Sequence, residues 1–107
     1  MIGGNVNAVI QQNTGDTFNA IGERVPVWTD IQHLHGWLDM MDERSNRTYD
    51  AKLQESTHIF LCDYVAIDRN ISNKRMVING NIYDVLMIDN PMELNQHLEI
   101  YLKYIGG

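Results

Sequence analysis

Residues 75–104 read RMVINGNIYDVLMIDNPMELNQHLEIYLKY, and the fold turns on how this stretch is parsed. Asn79-Gly80 sits between two apolar runs. A type I′ turn needs positive φ at both central residues, and Asn-Gly tolerates this best. The sequence therefore predicts a hairpin with arms from Arg75 to Ile78 and from Asn81 to Asp89. Asn90-Pro91 ends the second arm, since the residue before proline and proline itself both favour a turn. Beyond it, Leu98, Ile100 and Leu102 alternate with Glu99, Tyr101 and Lys103 from His97 to Tyr104. That is the pattern of an antiparallel strand with one face in the core and one in water.

Working outward, His58 to Ala66 (HIFLCDYVA) has the β-branched, aromatic and apolar content of a buried strand. Arg24 to Met40 forms a long extended segment. Pro26 keeps its beginning at a sheet edge, and Gly36 marks a bulge or bend. Val6, Ala8 and Ile10 alternate within a first strand from Asn5 to Asn13, and Asn13 to Thr17 has turn chemistry. Between the second and third strands lies a polar insertion of mixed charge, Met41 to Thr57. A short helix is expected at Thr48 to Glu55, and such an insertion is the natural place for a working loop. The expectation is a single domain over residues 1–107. It is an all-β protein, a small antiparallel β-barrel of about six strands with a long β2-β3 loop carrying a short helix. The ends, 1–4 and 105–107, are expected to be flexible.

Composition narrows the function. The 107 residues suffice for one modest core. A net charge of −6 disfavours a monomer that wraps DNA, because such affinity comes from Lys and Arg on phosphates. It does not disfavour a surface past which DNA slides without sticking. No apolar run approaches the ~20 residues that span a bilayer, and the start lacks a secretory pattern. The one cysteine, Cys62, lies in an apolar run and is expected to be buried and inert; one cysteine permits neither an internal disulfide nor a cysteine zinc cage.

Three groups of side chains are candidates for chemistry or contact. His33 and His35, two apart on a strand, face one side and offer two imidazoles to a metal with Asp39. This resembles the first metal motif of cupins, but the second motif is unmatched. Two half-exposed histidines on a long strand is the plainer reading, and no metal or cofactor is expected. Asp89, Glu93 and His97 surround the proline corner and read as turn chemistry rather than acid–base catalysis. Trp28, Trp37 and Tyr101 are candidates for an oligomer interface, with base stacking in a single-stranded nucleic-acid barrel as the rival. Nucleophile motifs and phosphate-cradling loops are absent, so the expectation is a protein that is not an enzyme.

The order of segments resembles one family. The run from Arg75 to Met92, followed by His97-Leu-Glu-Ile-Tyr-Leu, is similar to the head-closure proteins of long-tailed bacteriophages and prophages, also called head–tail adaptors or stoppers. Trp37-Leu-Asp, the polar insertion, Glu55-Ser-Thr-His-Ile-Phe and Cys-Asp-Tyr64 fit the same order, so the likeness spans residues 25–105. The resemblance implies a small β-barrel, monomeric when free, that assembles as a ring of about twelve copies. It implies a portal or adaptor protein above, a tail-completion protein below and packaged double-stranded DNA in the channel, with no membrane. The location is the virion's head–tail interface, and the host cytoplasm during assembly. The insertion takes the position of the channel-closing loop, which makes Arg44, Arg47, Tyr49 and Lys52 its DNA-facing candidates. His33 and His35 have no counterpart in that likeness.

Overall fold

The computed structural model describes residues 3–40 and 56–107. The hairpin forms where Asn79-Gly80 predicts it, with φ of 52° and 82° at the two turn residues. Six strands follow in chain order: β1 (Val6–Phe18), β2 (Arg24–Met40), β3 (His58–Asp63), β4 (Lys74–Ile78), β5 (Asn81–Asp89) and β6 (His97–Gly106). Every pairing is antiparallel, and the spatial order β1-β2-β3-β6-β5-β4 closes into a barrel when Ala8–Gln12 of β1 pair with β4.

Alternation decides what fills the barrel. Ile10, Phe60, Met76, Ile78, Leu98, Ile100 and Leu102 point inward and are at most 1 % exposed. Each such side chain contributes about 1.5–3 kcal/mol by leaving water. Six strands enclose only enough room for side chains, and no cavity opens among the described residues.

The registers give the barrel two unlike ends. At one end β1 and β2 run beyond their neighbours. β4 covers β1 only as far as Gln12, and β3 meets β2 only from Gly36 onward. Asn13–Phe18 and Arg24–Trp28 therefore continue as a two-stranded arm, and the molecule measures 47 × 27 × 24 Å. The connections 64–73 and 90–96 lie at this same end. At the opposite end are Met40 and Ser56, which flank residues 41–55, together with the Asn79-Gly80 turn, Gly4 and Gly106.

Several expectations need correction. Asn13 to Thr17 is not a turn: it stays in β1, with a register shift between Asn13 and Gly15 that absorbs Thr14 as a bulge. The turn comes later, where the Asn19 side chain accepts hydrogen bonds from the N–H groups of Ile21 (3.1 Å) and Glu23 (2.9 Å). Gly36 is not a bulge, since the register runs through it unbroken. A Cβ there would lie 2.1 Å from the Leu61 carbonyl oxygen, so glycine is required by close strand approach; the second bulge sits at Ile31. Strand β3 stops at Asp63 rather than Ala66, because its partner β6 begins at His97; one last bond in the same register runs from Tyr64 N–H to the Gln96 carbonyl (3.3 Å). Within the expected flexible ends, the described residues show two contacts. Strand β6 continues to Gly106 opposite Ile82, and Gly4 abuts Gly36. The helix expected at 48–55 falls outside the described residues.

Candidate functional site

His33 and His35 share the outward face of β2, as their spacing requires. His35 is already occupied. Its Nε2–H donates to the Gly4 carbonyl (3.0 Å) and its Nδ1 lies 2.7 Å from the Asn7 side-chain amide. The ring thus ties the first residues onto β2. Among the described residues no three His, Cys, Asp or Glu side chains gather in a way that could hold a metal ion.

The proline corner disperses its three candidates. Glu93 receives both guanidinium arms of Arg69, at 2.7 and 3.2 Å. His97 bonds Glu99 (3.1 Å), while Asp89 stands opposite Glu99 at the end of β5. The corner is organised by Asn90, which is buried: its Nδ2 donates to Asn95 Oδ1 (2.7 Å) and its Oδ1 accepts from Asn95 N–H (3.1 Å). At the same end of the barrel Lys74 is buried too, donating to Asp68 Oδ2 (3.2 Å) and to the Asn70 carbonyl. The Asn70 N–H and then Lys74 hold the Asp68 carboxyl below its ordinary range. These bonds fix the two connections across the barrel mouth.

The three aromatic candidates do not form one patch. Trp28 stands at the root of the arm, half-buried, with the Arg75 guanidinium 4.1 Å from its ring centre. Arg75 Nε is held in turn by Gln11 Oε1 (2.8 Å). Trp37 and Tyr101, by contrast, meet on one outer wall. Two rows cross β2, β3 and β6: Trp37–Leu61–Glu99 and Asp39–Ile59–Tyr101. Trp37 is 43 % exposed, and Ile59, Leu61 and Tyr101 are half-buried. The Tyr101 hydroxyl donates to Glu99 (3.1 Å), and burial, then the Glu99 charge, push its ionisation up to about 12. It is an uncharged phenol at any ordinary pH.

Sequence reasoning missed the arm. Its apolar side chains stand in water: Phe18, Ile21, Val25 and Val27 are all exposed, and Ile31 stands exposed below its root. Met92 and Leu94 project from the same end of the barrel. The opposite end exposes Met40, Tyr104 and Ile105. There Tyr83 meets His58 and Tyr104 edge to face, with centroids 5.1 and 5.6 Å away, and desolvation lowers the pKa of His58 and raises that of Tyr83. Cys62 faces the core, 2 % exposed, and burial pushes its thiol up to about 11, so it is a poor nucleophile. The loop candidates Arg44, Arg47, Tyr49 and Lys52 lie outside the described residues.

Compared with known proteins, the chain matches no family model and no curated protein. Among solved structures, the solution structure of protein SF1141 from Shigella flexneri 2a is similar to it. The two share 16 % identity and a TM-score of 0.69, over 95 % of this chain and 93 % of that one. At that identity the likeness is one of fold.

Proposed function

We propose that this chain is a structural protein of virion assembly, a head-closure subunit that forms a ring at the head–tail connector of a long-tailed phage or prophage. The observation that carries the reading is the polarity of the barrel. A connector subunit must offer two docking ends on a rigid body, and this barrel exposes large apolar side chains at both of its ends: Phe18, Ile21, Met92 and Leu94 at one, Met40, Tyr104 and Ile105 at the other. The family-like order of segments from Trp37 to Leu102 gives the two ends their partners, a portal or adaptor protein and a tail-completion protein. In this reading the ring closes the DNA-filled capsid and receives the tail. Residues 41–55, between Met40 and Ser56, supply the channel-facing loop, with Arg44, Arg47, Tyr49 and Lys52 its contacts to DNA. The barrel contributes no chemical step.

The test is deletion of the gene from its phage or induced prophage, with electron microscopy of the lysate. The expected result is separate tails beside tailless heads that have lost DNA. Normal infectious particles would end the proposal.

A further inference from the structure

The arm and the outer wall are two apolar surfaces of one chain that cannot meet within it. By alternation, Val25, Val27 and Thr29 share one arm face with Thr14 and Thr17, and the Thr14 and Thr29 hydroxyls lie 3.2 Å apart on it. That face carries no charge. The opposite arm face carries Asp16, Arg24 and Phe18. The wall is built from Trp37, Ile59, Leu61 and Tyr101. Trp37 lies nine residues beyond Trp28 on the same strand, roughly 30 Å along it. The arm stays paired to Phe18 and Arg24, so it cannot fold back onto its own wall.

We infer that the uncharged arm face of Val25 and Val27 packs on the Trp37–Tyr101 wall of a neighbouring copy of this chain. Reach supports a second copy as the occupant. Six residues from Asn13 to Phe18 extend about 20 Å, close to the 24–27 Å width of the molecule. An arm anchored on one barrel therefore spans the flank of the barrel beside it. Charge is consistent with it: Asp16 and Arg24 stand on the opposite arm face, and Asp39, Asp63 and Glu99 only border the wall, so two uncharged surfaces meet. The contact is head-to-tail, since arm and wall are different surfaces, and repeating it builds a ring or an open filament rather than a closed dimer. Because a two-stranded ribbon with small side chains buries little, the contact is weak and the dilute protein stays monomeric.

This contact rests on the ring-forming part of the proposed function, and its test is separate from the deletion phenotype. V27C and I59C variants are purified singly, mixed at concentrations from micromolar to millimolar, and oxidised. The expected product is a disulfide between the two variants that grows with concentration, with neither variant linking to itself. V27C linking to itself would replace the contact by arm-to-arm pairing, and no linkage at millimolar concentration would overturn it. Sedimentation of V25K/V27K provides an independent readout. Both positions are exposed, so the barrel folds, and self-association falls by at least about tenfold. Wild-type association in that variant would likewise overturn the contact. Failure here with DNA-leaking heads in the deletion strain would remove the contact and leave the head-closure reading standing.

Discussion

Strands β1 and β2 each pass through two environments. Up to Gln12 and from Thr29 onward they belong to the barrel, where Ala8, Ile10 and Leu34 are buried. Above those points the same ladder continues as a ribbon whose Val25 and Val27 stand 37 % exposed. The backbone pairing is alike in both halves; what differs is what holds it. The barrel is held by apolar packing from six strands. The arm is held by local polar bonds: the Asn19 turn, the Thr14–Thr29 hydroxyl pair and the Asp16–Arg24 bridge. Strand pairing alone does not need a core, but strand stability does.

The sharpest way to break this comparison is to make the same kind of deletion in each half. Leu98→Ala in the barrel, where the side chain is wholly buried, should cost about 3–5 kcal/mol. Val27→Ala in the arm should cost less than about 1 kcal/mol, because little apolar area returns to water. Urea unfolding monitored by tryptophan fluorescence measures both. Equal losses would mean that the arm is packed as tightly as the core.

Glycines give the next contrast. A Cβ at Gly36 meets the Leu61 carbonyl at 2.1 Å and the Phe60 ring at 2.9 Å, so Gly36→Ala must push β2 from β3 and should cost about 3 kcal/mol. Gly15 in the arm bulge has open space around it and a φ of +138°, so Gly15→Ala suffers only backbone strain, about 1 kcal/mol. Thermal unfolding of the two variants separates crowding from strain. A Gly36→Ala protein as stable as the parent would refute the close approach of the two strands.

How much of this was legible follows from the same division. The barrel half was readable because burial imposes period-two alternation: Leu98, Ile100 and Leu102 mark β6, and Asn79-Gly80 fixes its neighbour hairpin. The arm was misread because no core enforces its pattern, and Asn13-Thr-Gly-Asp-Thr resembles a turn when taken alone. The available signal was further on, in Asn19 and Gly22 flanked by Thr17 and the alternating Val25, Val27 and Thr29. Gly36 reads as a bulge or bend, since a sequence cannot tell a kink from a close neighbour. The corner residues were read as turn chemistry, and Asn90 does this work. That Arg69 reaches Glu93 depends on two connections meeting over the barrel mouth, which only the topology brings about.

Acid should weaken the loop end of the barrel more than the arm. Desolvation beside Tyr83 and Tyr104 depresses the His58 pKa in the folded chain. The unfolded chain, with an ordinary value near ~6.5, takes up the proton first. His58 therefore costs no stability above that pH, and stability falls as pH drops through it. The midpoint of urea unfolding should decline between pH 7.5 and 5.5 (roughly one unit either side of that value), and His58→Phe should flatten the decline. An unchanged slope in the variant would assign the acid sensitivity to other groups.

The smallest effect is expected at the arm's own ion pair. Asp16 and Arg24 are 41 % and 72 % exposed and 3.7 Å apart, so water screens most of their attraction. Asp16→Asn should change stability by less than about 0.5 kcal/mol. The same substitution in the Val27–Ile59 cross-linking experiment tests something else. Because Asp16 and Arg24 stand on the arm face turned away from the neighbouring wall, the yield of the mixed disulfide should stay unchanged along with stability. A fall in yield would mean that Asp16 itself orients the arm, and the ion pair, rather than the ribbon's side-chain ladder, would then be the feature that presents the apolar face.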